Sequence, residues 1–310
     1  MSSVEWLRRY TEEWNDDTST SEVRITKQIP INEPVSTLTA TFVSLPWAMF
    51  RRNPRFYLYY DSIFAAFALT GMVTLISSGY RGPFYAFDPV DLLWLPVFLF
   101  VLIQAHTWTH IATHNALPRS INRIVGEVCG ALVLTKFASW EIVHRRHHRY
   151  SDDAEKDPHP VERSYWRFAL NTLIKVEQQL QASYFEIYGD TPANRRYEKI
   201  RSLWSFVSGV LMALFFGVVL GPAGFFMLYV PAFVGAALFV IHFNWVGHNA
   251  HTKDGKIEPV NLDHGWFWLG NRLFFGIYYH GNHHRRSMLV NPMNMPVPKA
   301  SRARAEGVGK

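Results

Sequence analysis

Fourteen histidines and a single cysteine stand in this chain of 310 residues, and the spacing of the histidines is its most chemical feature. His106, His110 and His114 recur every fourth residue, which on a helix stacks them along one face. His144, His147 and His148 form HRRHH, and His280, His283 and His284 form HGNHH. Neutral imidazole ligates iron, zinc, copper and nickel, and two HxxHH motifs plus one HxxxH supply more rings than one four- to six-coordinate ion can use. Two metal ions are the economical reading. The lone Cys129 excludes an intramolecular disulfide and a cysteine-held zinc or iron–sulfur cluster.

Each motif by itself has a plainer use: an HxxxH can pack inside a bundle, and HRRHH can face lipid headgroups. Their joint occurrence on one side of a membrane is what a metal explains. His159, His242, His251 and His264 stand outside the clusters and are read as structural or surface residues.

Positioning these clusters falls to long apolar segments. Charged residues are 18% of the chain, aromatic residues 15% and hydrophobic residues 48%, a composition that points to partial solvation by lipid rather than to disorder. Four runs, at 63–80, 92–111, 203–220 and 225–243, approach or reach the roughly 18 to 20 apolar residues that cross a bilayer core of about 30 Å. None carries Asp, Glu, Lys or Arg. A fifth run, 124–138, is interrupted by Glu127 and Lys136 and reads as interfacial or buried in protein. The 163–188 segment spaces Trp166, Leu170, Leu173, Ile174, Leu180 and Tyr184 as an amphipathic helix lying on the membrane or on the rest of the protein.

Gly221, Pro222 and Gly224 leave a tight turn between the third and fourth runs, and 81–91 is a short link between the first and second, so the runs are expected to form two hairpins. Lys and Arg number seven before the first run, one in the first link, none in the second link, fourteen in the long middle segment and nine after the fourth run. The positive-inside rule then puts both termini, the middle segment and the histidine clusters in the cytoplasm, at the inner membrane if the source is bacterial. The net charge of +6 lies beside membrane helices, where it meets anionic headgroups rather than nucleic acid. No apolar run follows the basic pair in MSSVEWLRRYTEEWNDD, so no cleaved secretory signal is expected. The fold expected is an all-α integral membrane protein, four transmembrane helices in two hairpins under a cytosolic helical cap that holds a histidine-rich di-metal site. Residues 1–58 form a cytosolic or interfacial segment, 59–298 the catalytic domain and 299–310 a flexible tail.

The stretch HIATHNALPRSINRIVGEVCG, followed by HRRHHRYSDDAEKDPHP and later by HGNHH, resembles the membrane fatty-acid desaturase superfamily, with its HxxxH or HxxxxH, HxxHH and H/QxxHH boxes. Asn244 and His248 in NWVGH are similar to an Asn-x-x-x-His of acyl-CoA desaturases that contributes a further ligand. The resemblance implies two iron ions held by His110, His114, His144, His147, His148, His248, His280, His283 and His284. Asn244 is a possible further or water-mediated ligand, as is His106, because His106 with His110 also fits HxxxH. Among nearby carboxylates that could orient the imidazoles, Glu141, Asp152, Asp153, Asp157 and Asp263, the preferred two are Asp157 and Asp263. HHRRSMLVNP departs from the proline-rich sequence that often follows the third box, which leaves the substrate class open.

An unactivated methylene C–H bond is too strong for acid–base chemistry by side chains, so a redox cofactor is required. The implied function is an O2-dependent oxidoreductase that places a C=C bond in a lipid acyl chain. The same fold could serve a lipid or carotenoid hydroxylase or ketolase, and outside it stand a membrane zinc hydrolase or a metal transporter, the latter disfavoured by spans almost bare of polar ligands. The chain carries no HPGG haem-binding signature, so electrons are expected from a separate ferredoxin or cytochrome b5 type donor with its reductase.

Overall fold

The computed structural model describes residues 49–248 and 259–295; His251, the expected tail and most of the expected N-terminal segment lie outside the described residues. Regular structure among the described residues is helical, with one isolated antiparallel bridge between Asn261 and Tyr279. Helix α1 is Phe56–Ser77, α2 Leu95–Thr113, α3 Arg119–Leu132, α4 Phe137–Arg149, α5 Tyr165–Tyr188, α6 Pro192–Leu220, α7 Val230–His248, α8 Gly265–Leu273 and α9 His280–Arg285.

Four stretches are long and apolar enough to cross a membrane: Phe56–Ser77, Pro89–Thr113, Pro192–Leu220 and Pro222–His248. They enclose the four runs read from the sequence apart from the last residues of the first, but they start earlier, because helix formation extends beyond the apolar stretch. Thr191 caps α6 by accepting from the Asn194 amide at 3.2 Å, with Pro192 in the first turn, so the charged turns before Leu203 are helical too. Asp88 and Asp91 form a capping box over the 3-10 turn Pro89–Trp94 that leads into α2. Large apolar side chains such as Ile63 (71% exposed) and Phe206 (69%) point outward from these helices, as lipid-facing residues do.

The packing pairs run across the two expected hairpins: α1 lies along α6, and α2 along α7 and α3. At one end the two links touch. The Phe84 amide donates to the Leu220 carbonyl (3.1 Å) and the Tyr80 hydroxyl to that of Val219 (2.9 Å). Gly82 and Gly221 both have φ of +81°, and a Cβ on Gly82 would lie 2.5 Å from the Gly221 nitrogen, so only glycine fits the crossing.

At the other end a buried ion pair binds α1 to the start of α4. Lys136 Nζ lies 2.7 Å from Asp61 Oδ1 and donates to the Ser205 carbonyl (2.7 Å) on α6. Asp61 stands upstream of the apolar run yet inside the membrane-length helix, a charge there that the apolar-run reading did not include. The 124–138 run is split between α3 and α4, and its charges are both paired, Glu127 with Arg123 and Lys136 with Asp61. On α5, Leu180 and Tyr184 join a core with Phe50, Tyr57 and Ile142, while Trp166, Leu170, Leu173 and Ile174 stay exposed.

Candidate metal centre

Helix ends bring the histidines together. His110 lies in the last turn of α2 and His114 caps it; His144, His147 and His148 lie on α4; His248 ends α7; His280, His283 and His284 fill the short α9. Their Nε2 atoms converge in two groups. In one, His110 and His283 are 2.9 Å apart, His114 and His144 2.8 Å, and His148 lies 3.1 Å from both His144 and His283. In the other, His280 lies 2.7 Å from His248 and 3.1 Å from His284, and His284 lies 3.3 Å from His147.

Two ligands at right angles around an ion with metal–nitrogen bonds of about 2.1 Å sit about 3 Å apart. The observed spacings therefore suit ring nitrogens sharing an ion. Chains of imidazole–imidazole hydrogen bonds explain them poorly, since a neutral ring has only one N–H to donate. His110, His114, His144 and His283 form one set of possible ligands, and His147, His248, His280 and His284 another. Burial holds the rings of His114, His144, His147, His280, His283 and His284 well below the usual histidine range, and takes His148 down to about 3, with neighbouring rings adding to the effect. Neutral imidazole is the form that binds metal.

A family model described as Fatty acid desaturase matches residues 89–306, which include all nine of these histidines. The chain belongs to the fatty acid desaturase family. It is 24% identical over 259 residues to the chloroplastic omega-3 fatty acid desaturase of Glycine max, covering 72% of this chain and 54% of that one. It is 25% identical over 214 residues to the sn-1 stearoyl-lipid 9-desaturase of a Synechocystis species, covering 64% of each. The chain thus spans between half and two thirds of the length of these curated relatives. No solved structure matches it.

In this desaturase-family chain each HxxHH divides its rings. His144 and His148 serve the first group and His147 the second; His280 and His284 serve the second and His283 the first. At about 100° per residue, i+4 lies about 40° to one side of i and i+3 about 60° to the other, so one face of each short helix reaches both groups.

Two carboxylates hold the outer nitrogens. Asp157 Oδ1 lies 2.9 Å from His147 Nδ1 and accepts from the His159 amide (2.7 Å); its Oδ2 accepts from the Asp152 amide (2.6 Å). Asp152 Oδ1 lies 3.0 Å from His248 Nδ1. Burial pushes Asp157 up to about 8, against the pull of the two amides. Asp263, the other preferred carboxylate, meets no histidine ring among the described residues; it accepts from Tyr279 (2.7 Å) and Asn271 (3.2 Å). Glu141 pairs with Arg145 (2.6 Å), and Asp153 accepts from the amides of Glu155 and Lys156.

His106 and Asn244 join neither group. Asn244 Nδ2 donates to the Val240 carbonyl of its own helix (3.0 Å), and His106 lines a cavity beside His110. His242 packs among Tyr165, Trp245 and Tyr278, and His264 against Phe267. His159, read as structural, lies closer to the centre than that reading implies: its ring is 4.2 Å from that of His147, and it forms a third possible ligand set with His147 and Asp157. Sequence reasoning passed over Trp140, stacked on His144 at 5.5 Å, and Gly281 and Asn282, which seat α9. The Gly-Asn inside HGNHH was the available signal.

Proposed function

We propose that the chain is an O2-dependent di-iron membrane oxidase that desaturates a lipid acyl chain. The observation that carries this reading is the convergence of nine ring nitrogens in two groups at the spacing of ligands around two ions. Bound there, two iron ions would supply the O2 activation and electron capacity that methylene oxidation needs. In the balanced reaction the acyl chain gives up two hydrogens, and an external donor gives two electrons taken up with two protons, so O2 leaves as two waters.

The chain's own residues supply positioning. His110, His114, His144, His148 and His283 would hold one ion, and His147, His248, His280 and His284 the other. Asp157 and Asp152 keep a proton at Nδ1 of His147 and His248, which turns Nε2 inward and raises its basicity. Two cavities share Thr107, His110 and Ile277; one continues toward Phe275, Leu289 and Pro292, and such apolar walls suit an acyl chain and exclude water. The bare outer faces of the spans support entry from lipid, and the distribution of Lys and Arg supports a cytoplasmic centre served by a separate ferredoxin or cytochrome b5 type donor.

Mass-spectrometric acyl profiling of cells with and without the protein, beside elemental analysis of the purified chain, tests this. Chains lighter by two hydrogens and about two iron ions per protein are expected. A gain of oxygen instead would establish the hydroxylase alternative, and a folded protein with no stoichiometric metal would overturn both. Sidedness is checked with cysteines at Ser287 and Pro83 in a chain lacking Cys129: an impermeant thiol reagent should label Pro83→Cys in intact cells and Ser287→Cys only after permeabilisation. Pro83 is chosen because Gly82 has no room for a side chain.

A further inference from the structure

Beside the ring cluster lies a cavity lined by His106, Thr109, His110, Trp140, Val240 and Phe243, among others. Its polar inventory is unusual for a pocket meant only for methylenes. Thr109 spends its hydroxyl on the Ala105 carbonyl of its own helix (2.8 Å). His106 Nε2 and Trp140 Nε1 are shielded from solvent and have no hydrogen-bond partner among the described residues. Leaving buried polar groups unmatched is costly, and two that belong to residues lining one cavity point to a partner supplied from outside the chain. Trp140 N–H can only donate, whereas His106 Nε2 donates or accepts according to its tautomer. A hydroxyl or carbonyl oxygen is a partner that either group can use, whereas a hydrocarbon segment satisfies neither.

We propose that this cavity is an oxygen-binding subsite: it takes a hydroxyl or carbonyl oxygen of the lipid substrate between Trp140 Nε1 and His106 Nε2. His110 lines the same cavity and Trp140 lies flat on His144 (12° between planes), so the bound oxygen stands next to two rings of the first group. The carbon to be oxidised then lies within a few bonds of an oxygen substituent. His106 reads the substrate one helical turn below His110 and holds no metal. This assignment rests on the oxidase reading for calling the ligand a substrate, but the binding itself requires no turnover.

The test is competitive retention of n-octadecane, octadecan-1-ol and methyl octadecanoate by purified, metal-loaded protein in lipid nanodiscs, read by native mass spectrometry. The alcohol and the ester separate a hydroxyl from a carbonyl as the oxygen source. At least one of them is expected to be retained about tenfold over the alkane, equivalent to about 1.4 kcal/mol. Trp140→Phe keeps the ring on His144 and deletes only the donor, and His106→Leu deletes the other partner. Each should bring that ratio toward one while metal content stays at the wild-type value, and His106→Asn should restore part of the preference. Equal retention of alkane and oxygenated chains by the wild type would mean that the cavity holds only water and would overturn the proposal. So would a ratio unchanged in Trp140→Phe, or loss of metal in His106→Leu, which would make His106 a ligand. If the wild type binds no metal and forms no alkene yet shows the preference, the oxidase reading fails and the oxygen subsite stands.

Discussion

The two HxxHH motifs carry the same rings at the same spacing, yet the chain secures them by opposite means. Helix α4 is 13 residues long, and its other face, through Ala138, Ile142 and Val143, is part of a core cluster. The two residues between its histidines are arginines. Arg145 is tied to Glu141 (2.6 Å), and Arg146 to Gln179 (2.7 Å) and Glu186 (2.9 Å) on α5. Helix α9 has six residues and is too short to hold itself by propensity. Between its histidines stand Gly281 and Asn282, set against the Asn261–Tyr279 bridge. The Gly281 amide donates to the Val260 carbonyl (3.1 Å), the Asn282 amide to Asn261 Oδ1 (2.9 Å), and Asn282 Nδ2 to the Pro292 carbonyl (3.0 Å). Apolar packing and charge fix one motif; close backbone approach fixes the other. A rigid metal-binding spacing can therefore be presented by a helix that would not exist alone, provided its intervening residues are small or hydrogen-bonded.

The largest effect should come from the crossing histidines. His147→Ala and His283→Ala each remove the one ring that a motif sends to the group where the other motif sends two. Each should abolish turnover and lower bound iron from about two to about one or less per chain while membrane insertion stays intact, as measured by elemental analysis of the membrane-extracted protein. Wild-type turnover in either variant would break the division of rings between groups. Asp157→Asn should weaken metal affinity or activity by about 10–100-fold, because an amide can turn its NH2 instead of an acceptor oxygen toward His147 Nδ1; metal titration of the apo protein reads it. The contrast between the two motifs is sharpest at Gly281. A Cβ there would meet the Pro259 carbonyl oxygen at 2.7 Å, so Gly281→Ala should cost about 1–3 kcal/mol in chemical unfolding and release iron from both groups. The smallest effect is expected between the histidines of α4: Arg146→Lys keeps the charge and should shift stability by about 1 kcal/mol or less, with iron content unchanged. If Arg146→Lys is the more damaging of the two, the guanidinium's hydrogen bonds to Gln179 and Glu186 matter more in securing α4 than close backbone approach does in securing α9.

The centres of the four spans and the clustering of eight of the converging rings were legible because each is a local pattern, a long apolar run or a repeat within one helix; His248 came through the resemblance of NWVGH alone. What depended on distant partners was not. Asp61 fell outside the first apolar run, and its partner Lys136 lies at the start of a distant helix. Among five acidic candidates the spacing could not tell that Asp152 reaches His248, 96 residues away, or that the turn after α8 brings Tyr279 back to Asp263. His159 was read as structural or surface because its contact with His147 is made by a loop that folds back, with Asp152 at a φ of +65° in the turn. The hairpin reading followed loop lengths, which fix neighbours in sequence and do not state which helix lies along which.

The pairing of α1 with α6 and of α2 with α7 has a consequence for how the chain is made. Translation delivers α1 and α2 first, and each must wait for a packing partner that is still unsynthesised. Lys136 follows Asp61 by 75 residues (136 − 61), so at roughly 5–20 residues per second the carboxyl group spends several seconds at the membrane without its ammonium partner. During that interval the first two membrane-length helices lack their later packing partners, and whatever inserts them has to tolerate a lone acid near the end of the first until the ribosome supplies the base.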